Sequence, residues 1–204
     1  MNRAIILVMA LSLGAVLAAG GCVSQPHPQK NVFILGLSAG DGPERTAPKR
    51  RTLLAATVTA AAGFDNRGLV YRVGPDQLET DFYNEFAAPP ARLLADAAAQ
   101  YLDAENARLR VVKSPGLVLA DYGLETYLES LYGDFTVEPP EAVLNIRFTV
   151  SDLRGAAPRP VLDRTYSQRR VAAAKNPAAL VATMNQALAD LLAQFNRDLE
   201  NKIR

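Results

Sequence analysis

Residues 142–152, AVLNIRFTVSD, and residues 176–199, NPAALVATMNQALADLLAQFNRDL, decide the fold of this chain. The first stretch alternates apolar and polar side chains, which is the pattern of a β-strand with one buried face. In the second stretch apolar side chains recur every three or four residues, with Asn176 as a cap and Pro177 at the first helical position. An amphipathic helix needs a layer that covers its apolar face. The two stretches therefore predict a helix packed on a sheet.

The rest of the chain supplies further strands and a second helix. Pro89-Pro90 precedes a helical pattern that ends near Asn106. The turn composition of residues 65–68 predicts an antiparallel hairpin, followed by a further antiparallel strand. Residues 121–135 match the helical period better than an alternating one, and the residues alone leave both interpretations open. Together the elements predict an α+β sandwich, with both helices on one face of the sheet. Strands are predicted at residues 31–37, 52–62, 69–73, 77–83, 109–112 and 161–171.

The N-terminal residues have the three parts of an export signal. Arg3 is followed by an apolar run of about 15 residues and then by small residues. Residues 19–22, AGGC, resemble the lipobox of bacterial lipoproteins, in which the cysteine becomes the lipidated N-terminus. We therefore expect a signal peptide at residues 1–21, with a covalent diacylglycerol and an N-acyl chain on Cys22. An uncleaved membrane-spanning anchor is the competing interpretation, although a span needs roughly 20 apolar residues.

The residues that follow Cys22 predict a short tether. Pro26 and Pro28 favour an extended conformation over residues 22–30. At no more than about 3.5 Å per residue, such a tether reaches roughly 30 Å, so a single domain at residues 31–204 stays close to its membrane. Val23 stands where lipoproteins of the inner membrane often have Asp. The resemblance to that sorting rule predicts an outer-membrane lipoprotein that faces the periplasm.

Composition excludes several classes of function. Removal of the signal takes away Arg3 and leaves 21 basic against 21 acidic residues, so no broad basic field is available to bind nucleic acid. His27 is the only histidine and lies in the tether, whereas Ser-His-Asp, Cys-His and zinc sites need such a side chain in a folded site. We predict no catalytic residue, no metal site and no cofactor besides the acyl chains on Cys22.

A longer motif lies in the middle of the chain. Residues 63–72, GFDNRGLVYR, are followed by the aromatic residues Phe82, Tyr83 and Phe86 and then by residues 89–94, PPARLL. This combination resembles the ABC-type transport auxiliary lipoprotein family, which includes the PqiC-like partners of MCE-domain lipid transporters. The resemblance implies a mainly antiparallel sheet with two long helices packed on one face, as in the N-terminal domain of TolB. It also implies a strand, not a helix, at residues 120–135.

The resemblance implies a docking role and no chemistry. The lipoprotein would hold the periplasmic MCE subunit at the outer membrane, with the ABC permease and ATPase as further partners. We hypothesise that Tyr71, Arg72, Tyr83 and Phe86 lie on or beside the docking surface. The alternative is that Tyr71 and Phe64 fill the core and that Arg72 caps strand-end carbonyls or pairs with Glu79.

Other functions stay open at this point. One is activation or scaffolding of a cell-wall synthesis complex, and another is a structural lipoprotein without a transport role. Exposed strand edges also allow a homo-oligomer.

Overall fold

A computed structural model describes residues 29–37, 51–114, 116 and 119–203, apart from the side chains of residues 56 and 57. The predicted signal peptide, Cys22 and most of the tether lie outside the described residues. Within them the chain forms eight strands and two helices, in the order β1 (Asn31–Phe33), β2 (Arg51–Ala60), β3 (Gly68–Gly74), β4 (Gln77–Phe86), α1 (Pro90–Glu105), β5 (Leu109–Val112), β6 (Tyr122–Asp134), β7 (Glu141–Asp152), β8 (Arg159–Val171) and α2 (Pro177–Lys202).

The eight strands form one sheet around β6. Along one edge of β6 runs β7, antiparallel to it, and β8 is antiparallel to β7. Along the other edge, β6 pairs first with β2 and then with β3, both parallel. β4 is antiparallel to β3, while β1 and β5 are parallel to β4 and β2. The long pairings are thus mostly antiparallel. The predicted α+β class is confirmed, and the strand implied by the resemblance is β6.

The predicted hairpin between β2 and β3 is wrong. The two strands follow one another along the same edge of β6 and point the same way. The chain between them makes a detour in which Gly63 has a φ of 90° and Phe64 enters the core, stacked on Tyr132 at 6.4 Å between ring centroids. Only the β3–β4 pair of the predicted run is antiparallel. Local turn composition predicted the turn correctly, but a distant strand decides the pairing.

Both helices cover the same face of the sheet. The first turn of α2 has the predicted cap, since Asn176 Oδ1 accepts a hydrogen bond of 2.9 Å from the Ala179 amide. Phe195 of α2 stacks on Phe148 of β7 with ring centroids 4.1 Å apart. Gly133 contributes to this packing, because a Cβ there would lie 2.6 Å from Leu180 Cδ2 and would force that buried side chain to shift. Alternating side chains of β7 point into this core, as the sequence pattern predicts.

A buried amide pair joins the two helices. Asn106, which ends α1, is fully buried, and its Nδ2 donates a hydrogen bond of 2.7 Å to Asn196 Oδ1 of α2. Its Oδ1 accepts hydrogen bonds from the amides of Arg108 at 3.0 Å and Leu109 at 3.1 Å. One side chain therefore fixes the end of α1, the start of β5 and the position of α2.

The opposite face of the sheet is polar. Arg147 of β7 makes two hydrogen bonds of 2.7 and 2.6 Å to the Asp163 carboxylate of β8. Beside this pair, Asn145 donates to Ser130 Oγ at 2.6 Å. Cross-strand pairs of this kind stabilise an exposed sheet face and keep it solvated.

Removal of the Asn106 side chain should destabilise the domain. Asn106→Ala leaves two backbone amides and the Asn196 side chain without their partner, so we expect a loss of about 2–4 kcal/mol in the free energy of unfolding. Urea denaturation measures the loss. Asn201→Ala, on the exposed side of α2, is the control and should change the value little. Equal stability of the two variants would contradict the proposed role of the buried pair.

Candidate functional site

The β3–β4 pair contains a bulge of four residues. Gly68 faces Glu85 and Val70 faces Thr80, so two steps along β3 correspond to five along β4. Residues 81–84 therefore lie opposite the single residue 69, an excess of three residues, and they leave the regular β3–β4 ladder. We call these four residues the aromatic bulge, because they include Phe82 and Tyr83.

The Asp81 carboxylate holds the aromatic bulge in shape. Its Oδ1 accepts hydrogen bonds from the amides of Tyr83 at 2.8 Å and Asn84 at 3.0 Å. Its Oδ2 accepts from Asn84 Nδ2 at 2.8 Å and from the Tyr71 hydroxyl at 2.9 Å. Burial acts to raise the pKa of Asp81, but these hydrogen bonds outweigh it and lower the pKa. Asp81 therefore stays charged at neutral pH and remains an acceptor for all four donors.

Gly68 permits the close approach of the two strands at the bulge. A Cβ at this position would lie 2.5 Å from Thr80 Cγ2 and 2.7 Å from the Asp81 carbonyl oxygen. The second atom belongs to the backbone and cannot rotate away. Any side chain at Gly68 would therefore push the aromatic bulge out of place.

The aromatic bulge presents two rings to solvent. Phe82 is 69% exposed and Tyr83 is 46% exposed, and the rings meet edge to face with centroids 5.2 Å apart. Lys30 Nζ lies 4.5 Å from the centre of the Phe82 ring and 3.2 Å from a Glu85 carboxylate oxygen. Glu85 also pairs with Arg67 at 2.8 Å. The exposed aromatic pair is thus next to the residue at which the predicted tether enters the domain.

The prediction that Phe86 lies on a docking surface is wrong. Its side chain is 2% exposed and belongs to the core. After the aromatic bulge, Phe86 pairs in register with Phe33 of β1 and points to the inner face of the sheet. Phe82 takes the exposed position instead. Strict alternation would place Phe82 and Phe86, four residues apart, on the same face, so the sequence pattern alone does not distinguish the exposed ring from the buried one.

Arg72 has a structural role at the end of β3. Its Nε and Nη2 donate hydrogen bonds to the carbonyls of Gly74 at 3.3 Å and Pro75 at 3.0 Å, as the alternative interpretation expected. Its Nη1 lies 3.8 Å from Asp134 Oδ2, so its ionic partner is Asp134 and not Glu79. A contact of Arg72 or Tyr83 with a partner protein stays a prediction.

Asp134 is the buried centre of this second cluster. Its side chain is 2% exposed and accepts hydrogen bonds from Thr136 Oγ1 at 2.5 Å and from Arg169 Nη2 at 2.9 Å. Burial acts to raise its pKa, but the hydrogen bonds and the charge of Arg72 outweigh burial and lower the pKa. Asp134 therefore ties β3, β6 and β8 together as an anion.

The other aromatic residues of the motif fill the interior. Tyr71 is half-buried and stacks on Phe135 with centroids 4.8 Å apart. Burial, together with the nearby Asp81 carboxylate, raises the pKa of the Tyr71 hydroxyl far above its ordinary value, which keeps it a hydrogen-bond donor. Phe64 lies in the core. Tyr71 and Phe64 are thus packing residues, and the Tyr71 hydroxyl also contacts the aromatic bulge at Asp81.

Two further features of the described residues bear on the site. Across residues 29–37, 51–114, 116 and 119–203, no three His, Cys, Asp or Glu side chains are grouped so that they could hold a metal ion. None of the described helices combines the length and the apolar character needed to cross a bilayer. Cys22 and His27 lie outside this part of the chain.

Comparison with known proteins gives the family. The sequence model of the ABC-type transport auxiliary lipoprotein component matches residues 35–196. The chain belongs to this family. It is therefore a membrane-anchored lipoprotein that assists an ABC-type transport system. Among curated proteins, no match by sequence is found.

Solved structures agree with this auxiliary lipoprotein fold. Protein XCC0632 from Xanthomonas campestris is 18% identical, with 81% of this chain and 92% of that chain covered and a TM-score of 0.68. An uncharacterized protein is 16% identical, with 84% and 99% covered and a TM-score of 0.68. At these identities the likeness shows the fold alone.

Substitution of Gly68 should disturb the aromatic bulge. Gly68→Ala places a methyl group against the Asp81 carbonyl, and overpacking of this kind costs about 1–3 kcal/mol. Thermal unfolding should show the loss. Gly36→Ala is the matched control, since no atom lies within 4 Å of its added Cβ. A Gly68→Ala protein as stable as the control would contradict the close approach of the strands.

The charge on Asp134 should stabilise the domain in a pH-dependent way. Because the folded pKa lies below the unfolded value of about 3.9, the contribution is complete above that value and disappears as the pH falls through the folded pKa. We expect Asp134→Asn to cost about 1–3 kcal/mol at pH 7. The difference from wild type should shrink below about pH 4.

Urea denaturation between neutral and acidic pH measures this difference. The control is Asp190→Asn, which removes one partner of an exposed ion pair with Arg170. Exposed pairs contribute little, so this variant should follow wild type at every pH. A cost of Asp134→Asn that persists unchanged in acid would show that shape, not charge, is lost.

Proposed function

We propose that this chain is a non-enzymatic lipoprotein of the outer membrane that docks the periplasmic MCE subunit of a lipid-transporting ABC system. Lipid chains on Cys22 anchor it, and the domain faces the periplasm. The family match over residues 35–196 carries the proposal. The central motif at residues 63–72 favours a specific form of this auxiliary role. In that form the partner is an MCE-domain protein and the membrane is the outer membrane.

The perturbed carboxylates support a role without catalysis. Arg154 donates two hydrogen bonds to Asp152 and keeps the pKa of that carboxyl far below its usual range. Hydrogen bonds from Arg147 likewise lower the pKa of Asp163. A general acid or base needs a pKa near the working pH. These carboxylates are instead fixed as partners of arginine.

The strand order supports a docking role at short distance from a membrane. β1 is the strand next to the tether, and the order from it is β4, β3, β6, β7 and β8. Five steps at about 4.8 Å separate β1 from β8, so β8 is roughly 24 Å from the anchored edge. With a tether of at most about 30 Å, the domain stays near its membrane, and a partner from the opposite membrane has to span most of the periplasm.

Membrane fractionation combined with crosslinking tests the proposal. The tagged full-length chain should sediment with the outer membrane and crosslink in cells to the MCE-domain protein. Val23→Asp introduces the residue that often retains lipoproteins in the inner membrane, so this variant should move to the inner-membrane fraction. Val23→Ala is the matched control and should stay in the outer membrane.

Three results would contradict the proposal. The first is wild-type protein in the inner-membrane fraction, and the second is a Val23→Asp variant that does not move. The third is crosslinking to a cell-wall synthase in place of the MCE-domain protein, which would favour the alternative function.

A further inference from the structure

A group of exposed apolar side chains surrounds Lys30. Phe82 and Tyr83 belong to the aromatic bulge, and Val32 of β1 is 55% exposed. Val32 is in register with Glu85, which binds Lys30, so Val32 and Lys30 share the outer face of β1. We call these four residues, Lys30, Val32, Phe82 and Tyr83, the anchor-proximal patch.

The exposure of this patch is built into the local structure. Asp81 accepts four hydrogen bonds that set the shape of the aromatic bulge. Phe86, only four residues after Phe82, is buried at the inner face. β4 thus departs from strict alternation at the aromatic bulge, and the hydrogen bonds to Asp81 hold the two aromatic rings on the outer side. Isolated exposed apolar residues are ordinary, but here Phe82 contacts both Tyr83 and Lys30, and Val32 lies on the same face as Lys30, which indicates a contact surface.

The position of the patch favours one occupant, the membrane that anchors the chain. Cys22 precedes Lys30 by eight residues, which limits their separation to about 28 Å. Lys30 itself contacts the Phe82 ring. The patch is therefore at the anchored end of the domain, where an acyl chain in the bilayer keeps it at high effective concentration near the lipid surface.

The chemistry of the patch suits the headgroup region. Aromatic rings with a polar end, such as Tyr83, concentrate at membrane interfaces. Lys30 can bury its aliphatic stem while its ammonium group stays in water. Lys30 and Arg67 both pair with Glu85, and the Asp81 carboxylate adds a second negative charge, so the two positive and two negative local charges cancel. Contact with lipid would then depend on apolar and aromatic burial and not on anionic lipid.

We infer that the anchor-proximal patch inserts into the headgroup region of the anchoring bilayer and fixes the orientation of the domain. The acyl chains and the patch then act as two attachments, so that β8, at the far edge of the sheet from β1, points away from the lipid. The inference rests on the lipidated Cys22 of the proposed function. Phe82 and Tyr83 then contact lipid, and the MCE subunit binds a different surface of the domain.

Tryptophan fluorescence tests this inference directly, because the chain contains no tryptophan. Phe82→Trp is introduced into the full-length acylated protein, which is reconstituted into phosphatidylcholine vesicles with brominated acyl chains. Trp emission at position 82 should be quenched at least about twice as strongly as emission from the control Tyr127→Trp, since only the first lies at the interface. Raising the salt to about 1 M should leave the quenching unchanged.

Tyr127 provides a suitable control because it is exposed and lies on the central strand β6. Circular dichroism verifies that each variant folds. Tyr83→Trp is a second reporter that should behave like Phe82→Trp, and it replaces that variant if Phe82→Trp does not fold.

Each outcome bears on the inference separately from the docking proposal. Acylated protein with equal quenching at both positions overturns the patch and leaves docking untouched, since no MCE subunit is present. Quenching that is lost in salt or needs anionic lipid overturns the apolar mechanism. Shielding of position 82 from aqueous acrylamide only after an MCE-domain protein is added would assign the patch to that protein. A mass spectrum without acyl chains on Cys22 contradicts the anchor and the inference together.

Discussion

Strand β6 pairs along both edges, and the rest of the structure depends on this double pairing. β7 occupies one edge over its whole length, while β2 and β3 share the other. Two strands from one continuous stretch can share an edge only if the chain between them leaves the sheet. That excursion carries Phe64 into the core and brings Gly68 to a point where β4 approaches too closely for a side chain. The aromatic bulge of β4 is formed directly opposite.

Two carboxylates stabilise the part of the sheet where this irregular pairing occurs. Asp81 satisfies the amides that the aromatic bulge removes from the ladder. Asp134, at the end of β6, binds Arg72 of β3 and Arg169 of β8. Buried backbone donors and buried charges are costly without partners. The short distances around both carboxylates show that those partners are present, so irregular backbone is compatible with a well-packed core.

The same irregular pairing produces the exposed aromatic rings beside Lys30. In a regular β4, Phe82 and Tyr83 would point to opposite faces of the sheet. The aromatic bulge instead exposes two adjacent rings and returns Phe86 to the core. Lys30 lies against the Phe82 ring, so the start of the described domain and the exposed rings are in direct contact. Under the proposed anchoring at Cys22, this edge of the sheet is the one nearest to the membrane.

Much of the architecture was determined by the sequence alone, because it follows from local periodicity. The alternation of residues 142–152 and the stripe and cap of α2 need only neighbouring residues to be recognised. Pro90 and Asn106 mark the ends of α1 for the same reason. The short motif around residues 63–72 led to the family and, through it, to β6, where the helical period of residues 121–135 pointed to the wrong element.

Tertiary structure decided what depends on distant pairing. β2 and β3 appeared to be a hairpin because the turn at residues 65–68 is local, whereas their true partner β6 lies more than 50 residues further along the chain. Phe86 looked like a surface residue because no local pattern reports a four-residue bulge, which exists only when β3, β4 and Gly68 are in contact. Exposure of Phe82 follows from that contact. Strand register is a long-range property, because the paired residues that supply its free energy are far apart in the sequence.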